Sequence, residues 1–334
     1  MKLEGLTVLD LSLFLPGPAA TQTMADHGAR IIKVENPRSP EPTRSADAFP
    51  WQQGDETVMF RNTQRGKESI ALDLKTDAGK RALLALAKTV DVVVEAFRPG
   101  VAARLGIDYA TLSKDNPGLV YCSISAFGQT GPWCNRPAHD TATVAAAGVL
   151  DVTRSPEGSS GPAIIGVPIA DMLASNLALS GILMALLRRQ TTGQGDFVDI
   201  SMFESVLAAS PNIMGPVFGG NQAPEGLKER THGGNAMLNV YETADAHYLA
   251  LGGGEHKFVT ALFEGLDRHE FIEPVTGTAG EGHWEAIAYL RDTFRSRSRS
   301  EWESWFEGRD ICWSPVLAQR SLEYRTCLAT RHAF

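Results

Sequence analysis

Short apolar runs alternate with amphipathic stretches through the first third of the chain. Residues 6–11 carry Leu6, Val8, Leu9 and Leu11 and predict a strand, which the Pro16-Gly17-Pro18 step ends. Residues 19–28 then read as a helix and 29–35, with Ile31, Ile32 and Val34, as a second strand. Strand, helix and strand at this spacing form a βαβ unit, the start of a parallel sheet. Residues 36–55, rich in proline, serine and charge, predict a long surface loop. A third strand is expected at 69–74. A helix follows at 76–88, with Ala82, Leu83, Leu86 and Ala87 on one face. Residues 91–95 and 119–125 complete five strands, the last running into the glycine-rich loop 126–132. The alternation predicts an α/β fold with a doubly wound parallel sheet, in which ligands bind beyond the carboxyl ends of the strands. The first strand-to-helix turn lacks G-x-G-x-x-G, so a dinucleotide site is not expected there.

A small-residue segment, 141–150, precedes the longest apolar helical pattern, 172–190, with Leu173, Leu177, Leu179, Ile182, Leu183, Leu186 and Leu187. After residue 207 the texture changes. Residues 215–234 read as loop, and 239–243 with 247–251 as a hairpin around Ala244-Asp245-Ala246. Helices are expected at 256–266, 283–294 and 300–306, and a strand at 310–317. The division is thus a large domain over 1–214 and a smaller α+β domain over 215–334. The Arg-Ser run at 295–300 reads as a solvated approach to a helix.

Composition narrows the classes. A chain of 334 residues with 43% hydrophobic content can bury a full core and holds about two domains. A net charge of −8 argues against nucleic acid as partner. The four cysteines, Cys122, Cys134, Cys312 and Cys327, form no CxxC pair, which disfavours a zinc or redox motif and fits cytosolic thiols. The N-terminus lacks the apolar core of a signal peptide. The apolar stretch 163–187 is interrupted by Pro168, Asp171, Ser175 and Asn176, short of a membrane span. A soluble cytoplasmic protein, with no membrane or nucleic-acid partner, is the expectation.

Three side chains stand out for chemistry. Asp171 lies at or near the start of the long helix, where an acid can simply cap. It is embedded in Ile169-Ala170-Asp171-Met172-Leu173, a setting more buried than capping requires. His139 precedes Asp140 at the mouth of another predicted helix, where the positive helix end favours a neutral imidazole able to accept a proton. Glu255 closes the Gly252-Gly253-Gly254 turn, and is either a helix-start acid or part of a site that the glycines let a ligand approach. Arg38, Arg44, Arg65, Lys67, Lys75, Arg98 and Arg104 concentrate in the first third, which in an acidic chain hints at a polyphosphate ligand. Phe14, Phe49, Trp51, Phe60 and Met214 are candidates for an apolar pocket.

Several segments, taken in order, resemble the class III CoA-transferase family (CaiB/BaiF type), which also contains the 2-methylacyl-CoA racemases. They are Thr7-Val-Leu-Asp-Leu11, Pro16-Gly-Pro18, Gly28-Ala-Arg-Ile-Ile-Lys-Val-Glu35, Arg65-Gly-Lys-Glu-Ser-Ile-Ala-Leu-Asp-Leu-Lys75, Asp91-Val-Val-Val-Glu-Ala-Phe-Arg-Pro-Gly100, Ala126-Phe-Gly-Gln-Thr-Gly-Pro132 and Gly193-Gln-Gly-Asp-Phe-Val-Asp-Ile-Ser-Met202. The resemblance implies a large Rossmann-like domain, a small domain, and a homodimer of interlocked chains. It implies a coenzyme A thioester as substrate, with no permanently bound cofactor and no metal. By position, Leu72, Asp73, Leu74, Lys75, Ala96, Phe97, Arg98, Arg104, Ala138 and Asp140 match CoA-contacting segments, and Asp171 the catalytic aspartate. Asn36 stands where the family often has a phosphate-binding arginine, and Arg38 is expected to take its place.

The family divides between two reactions. In transferases the aspartate attacks the thioester, forms an acyl anhydride and passes CoA to an acceptor carboxylic acid. In racemases an aspartate and a histidine remove and return the α-proton on opposite faces. His139-Asp140 looks like the racemases' pair, and Glu255 falls where they carry a glutamate supporting the histidine. The long segment 45–62 and Gly166-Val-Pro-Ile-Ala-Asp171 look transferase-like, while Leu15 replaces the glutamine of formyl-CoA transferases. The reading preferred is racemase or epimerase chemistry by His139 and Asp171. CoA transfer through Asp171 is the alternative, and a non-catalytic CoA-binding homologue a third. The usual C-terminal return to the large domain is expected to be missing or shortened, since the sequence ends at Phe334.

Overall fold

The computed structural model describes residues 1–47, 49–154 and 161–318. They form two compact units, Met1–Leu150 with Ile164–Met214, and Asp151–Ala163 with the described residues from Gly215 onward.

The first unit contains β1 (Thr7–Asp10), α1 (Pro16–Asp26), β2 (Arg30–Glu35), β3 (Glu68–Ala71), α2 (Asp77–Ala87), β4 (Val92–Glu95) and β5 (Val120–Ser125). After these come α3 (Asp140–Ala146), α4 (Ile169–Thr192), β6 (Asp196–Ser201) and α5 (Met202–Ala208). The six strands pair in parallel in the order β3-β2-β1-β4-β5-β6. Strand order reverses between β1 and β4, so those two carboxyl ends frame the crevice where doubly wound sheets bind ligands. Alternate residues feed two cores, as the period-2 geometry of strands requires. Val8, Val92, Val94, Val120, Cys122 and Ile124 pack on one face with Ala20 and Met24 of α1 and the buried side of α4. Leu9, Ile32, Val34, Val93 and Tyr121 pack on the other with Leu83 and Ala87 of α2.

Two helix starts and one strand differ from the sequence reading. Helix α1 starts at Pro16, so the two prolines lie inside its first turn, where the missing N–H groups would have no helical partner anyway. Gly17 is required there, because a Cβ would sit 2.2 Å from Ser12 Cβ. Helix α4 starts at Ile169, which makes Asp171 its third residue rather than its cap. Strand β6 was not expected: Asp196 and Asp199 interrupt its apolar residues, and Phe197 and Asp199 are exposed, as on many edge strands. Within the predicted loop 36–55 the chain makes a 3-10 turn at Pro42–Arg44 and a two-residue strand, Gln52–Gln53, that pairs with Glu56–Thr57. Helix Val58–Gln64 follows, capped by the Thr57 hydroxyl.

Helix α4 spans 24 residues with a mean hydropathy of 1.7 over its best window, long and apolar enough to cross a membrane by length and composition. Its alanine stripe instead lies on the sheet. Ala170, Ala174 and Ala178 are fully buried, and Gly181 brings the backbone so close that a Cβ would meet Val198 at 2.7 Å.

In the second unit β7 (Leu238–Glu242), β8 (Tyr248–Gly252) and β9 (Trp313–Pro315) form an antiparallel sheet with β8 central. Helices α6 (His256–Gly265), α7 (Glu281–Phe294) and α8 (Arg299–Phe306) close a core of Tyr241, Phe263, Phe294, Trp302 and Phe306. Helix α8 opens with a full Ser298/Glu301 capping box, the signal that marks its start. Residues Pro211–Gly220, read in part as loop, are helical despite Gly215 and Pro216, and Ile213 is buried. The strand expected at 310–317 pairs only over Trp313–Pro315.

Candidate active site

The β1–α1 turn, the β4 exit and the start of α3 enclose a cavity of about 630 Å3 at the switch point. Its walls include Leu13 and Phe14 after β1, Ala96, Phe97 and Arg98 after β4, and Ser125 at the end of β5. Arg136, Ala138, His139, Asp140 and Asp171 complete the side that carries titratable groups. Two residues separated by 32 positions in sequence, His139 and Asp171, are therefore brought to one cavity.

Asp140 explains how. Its Oδ1 accepts the N–H groups of Ala170 at 2.7 Å and Asp171 at 3.2 Å, so α3's first residue caps the N-terminus of α4. With that role taken, the Asp171 side chain has no hydrogen-bond donor among the described residues. Burial, with the Asp140 charge second, pushes its carboxyl up to about 6. His139 is the N-cap residue of α3 but makes no side-chain cap bond. Its ring meets the Phe14 ring edge-on, with centroids 5.8 Å apart at 79°. The Ser125 hydroxyl oxygen is buried without a partner among the described residues.

The expected CoA-contacting residues divide. Ala96, Phe97, Arg98, Ala138 and Asp140 line the main cavity. Leu72, Leu74, Lys75 and Phe97 line a neighbouring cavity of about 130 Å3, so Phe97 belongs to both. Asp73 lines neither; it accepts the Lys75 N–H at 3.0 Å and stands 3.7 Å from Arg38. Arg104 lies on the short helix Val101–Leu105 and lines neither of these two cavities. Glu255 belongs to the second unit, where it is the exposed N-cap residue of α6 without a side-chain cap bond. Of the apolar candidates, Phe14 lines the cavity, Phe60 is core beneath the Arg44 guanidinium at 4.0 Å, and Trp51 is exposed.

Besides Arg38, three of the seven basic residues singled out in the first third are paired with protein acids. Arg44 pairs with Glu35 at 2.9 Å, Arg65 pairs with Asp26, and Lys67 is buried against Asp10 at 3.1 Å. That last pair is part of a network that sequence reasoning missed. Lys33 lies 3.8 Å from Asp10 and 3.1 Å from Glu41, all nearly solvent-free. Burial alone would raise Asp10, but Lys33, Lys67 and the Ser12 and Thr21 hydroxyls hold it well below the usual carboxylate range. Burial pushes the Lys67 ammonium down, against the pull of Asp10. The available signal was Lys33 itself, a charge inside the apolar strand Ile31-Ile32-Lys33-Val34.

At the end of β4, buried Glu95 accepts the Phe97 N–H and faces Ser123, whose oxygen accepts from Gln129 Nε2 at 2.8 Å. Burial pushes the Glu95 carboxyl up from 4.5 to about 7 despite these bonds. The folded state therefore holds a proton that the unfolded chain has already lost above about pH 4.5. The stability that this proton contributes is fully present below that pH and is lost as pH rises through about 7, by roughly 3 kcal/mol. Melting curves at intervals from pH 5 to 8 should show this decline in the wild type and a flatter profile in Glu95→Gln. Equal slopes would mean that Glu95 titrates normally.

Comparison with known proteins places this geometry. The sequence pattern of CoA-transferase family III matches residues 3–330. The chain is 36% identical over 255 residues to an acetyl-CoA:oxalate CoA-transferase of Acetobacter aceti, covering 76% of this chain and 64% of that enzyme. It is 32% identical over 321 residues to the alpha-methylacyl-CoA racemase of Homo sapiens, covering 95% of this chain and 78% of that one. The crystal structure of a CaiB/BaiF family protein from Brucella suis superposes with a TM-score of 0.80 at 26% identity, covering 97% of this chain and 87% of that one. The chain thus spans just under two thirds of the Acetobacter enzyme's length.

Proposed function

The chain belongs to CoA-transferase family III, and on that premise we propose that it is an acyl-CoA racemase or epimerase acting at C2 of a 2-methylacyl-CoA. The observation that carries this reading is the pairing of Asp171 and His139 in one cavity, neither side chain spent on a structural hydrogen bond among the described residues. An imidazole and a carboxylate are side chains suited to passing an α-proton, and a carboxyl raised to about 6 fits that task.

In the proposed cycle one of the two takes the α-proton, the C–H electron pair moves into the enolate, and charge gathers on the thioester oxygen. The other group then delivers a proton to the opposite face. The unpartnered Ser125 hydroxyl is an available donor for that oxygen. The nucleotide end of CoA would lie toward Leu72, Leu74, Lys75 and Arg38, with its pantetheine arm crossing Phe97 into the main cavity. Glu255 is proposed to support His139, and Arg104 and Asp73 to flank the nucleotide. Homodimerisation by interlocked chains is part of the same proposal, and the exposed Leu177, Met184 and Leu187 on α4 fit a covered face.

A second reading has its own support. An unbonded Asp171 carboxylate can attack the thioester carbonyl, forming the acyl–oxygen bond as the carbon–sulfur bond breaks and CoA thiolate leaves. The thiolate would return to the Asp171 carbonyl, expelling the donor acid and leaving an aspartyl thioester. An acceptor carboxylate would displace the thiolate there, and the thiolate would then take the acceptor's acyl group and free Asp171, in keeping with the similarity to the Acetobacter transferase. Measuring acyl-CoA binding and turnover on the same preparation tests the common ground. Both are expected; binding without any turnover would point to a non-catalytic homologue, and absence of both would overturn the proposal.

A further inference from the structure

We propose that Phe14 is a positioning residue for His139, and that the buried charges beneath the β1–α1 turn hold it in place. This rests on the reading that His139 works on substrate. Phe14 has φ of +63°, in the left-handed region that costs a side-chain-bearing residue about 1 kcal/mol or more and that glycine would occupy freely. Burial does not offset that cost, because the residue is 41% exposed. A bulky side chain kept at a strained position on a cavity wall points to a use for the side chain. Its ring and the His139 imidazole pack edge to face, and no hydrogen bond among the described residues fixes the rotation of that imidazole.

The backbone grip is visible on both sides of the turn. Glu41 Oε1 accepts the Phe14 N–H at 3.0 Å, and Lys33 donates to the Ser12 carbonyl. Lys33 and Glu41 are themselves paired at 3.1 Å, and Asp10 links Lys33 to Lys67. The charges thus clamp the turn from inside the fold, and the ring it presents limits how the imidazole can turn.

Phe14→Gly separates positioning from stability, because it removes the ring and relieves the strain together. Its melting temperature should equal or exceed that of the wild type, while kcat falls about 10- to 100-fold with KM for acyl-CoA within about twofold. Phe14→Tyr, which keeps the ring, should recover most of kcat. In protein labelled at histidine, the His139 ring resonances, identified by their loss in His139→Gln, should be ring-current-shifted in wild type and Phe14→Tyr. In Phe14→Gly they should move to solvent-exposed positions, and in Glu41→Gln part of the way. Unchanged His139 resonances in Phe14→Gly, or a tyrosine variant no better than glycine, would overturn the proposal. Resonances that move as expected in a protein that turns over no acyl-CoA would uphold the placement and instead remove the functional reading.

Discussion

Asp171→Asn is expected to lower turnover of acyl-CoA by about 10⁴-fold or more while leaving acyl-CoA affinity within about threefold. The size follows from the role: under either reaction this carboxylate is the group that meets the substrate, and an amide neither exchanges protons nor forms the anhydride. The fold should survive the change. Asp171 occupies the third position of α4, and Asp140, reaching from α3, already bonds the Ala170 and Asp171 N–H groups. At neutral pH the asparagine variant should be at least as stable as the wild type, because the carboxylate it replaces is part-buried and repelled by Asp140. Wild-type activity should also fall with acid around pH 6, where Asp171 takes up its proton. Melting curves and steady-state kinetics on the same variant decide the matter, and full activity would remove Asp171 from the chemistry.

His139→Ala separates the two reactions. If His139 and Asp171 act as a proton-transfer pair, the alanine variant loses α-proton exchange by about 10²- to 10⁴-fold, the usual worth of a positioned acid or base. Transfer of CoA to a carboxylic acid needs only the Asp171 nucleophile and should be largely spared. Loss of transfer with exchange intact would reverse the assignment. The imidazole makes no cap bond, and its neighbour Phe14 is itself partly exposed, so truncation should not unfold α3.

Much of this arrangement was legible in the sequence, for identifiable reasons. The four central strands, β1, β2, β4 and β5, announce themselves because both faces of the sheet are covered there, which forces near-continuous apolar runs such as Val92-Val93-Val94. The edge strand β6 escaped because Asp196 and Asp199, tolerated at the sheet's edge, interrupt its apolar pattern. The apolar spacing of α4 marked its body, but its true start was hidden. What opens that helix is a carboxylate about thirty residues upstream, a tertiary contact that no local pattern encodes. For the same reason the status of Asp171 was ambiguous between cap and reactive group until Asp140 was found doing the capping. Lys33 was visible as an anomaly, yet its partners come from the end of β1 and from the loop that holds Glu41. The pairing of Arg44, Arg65 and Lys67 was hidden as well, since nothing local shows that Glu35, Asp26 and Asp10 stand beside them. His139 and Asp171 could be nominated singly from their settings; the Asp140 carboxylate that ties the start of α4 to α3 shows why they share a cavity.

The most direct test of the central claim uses purified protein, a 2-methylacyl-CoA of one configuration and D2O, with no free carboxylic acid present. Deuterium at C2 and optical purity are followed together. The account predicts deuterium entry accompanied by loss of optical purity, both abolished in Asp171→Asn and His139→Ala. No exchange under these conditions, with new acyl-CoA species forming once carboxylic acids are added, would contradict it and identify Asp171 as the nucleophile of a CoA-transferase.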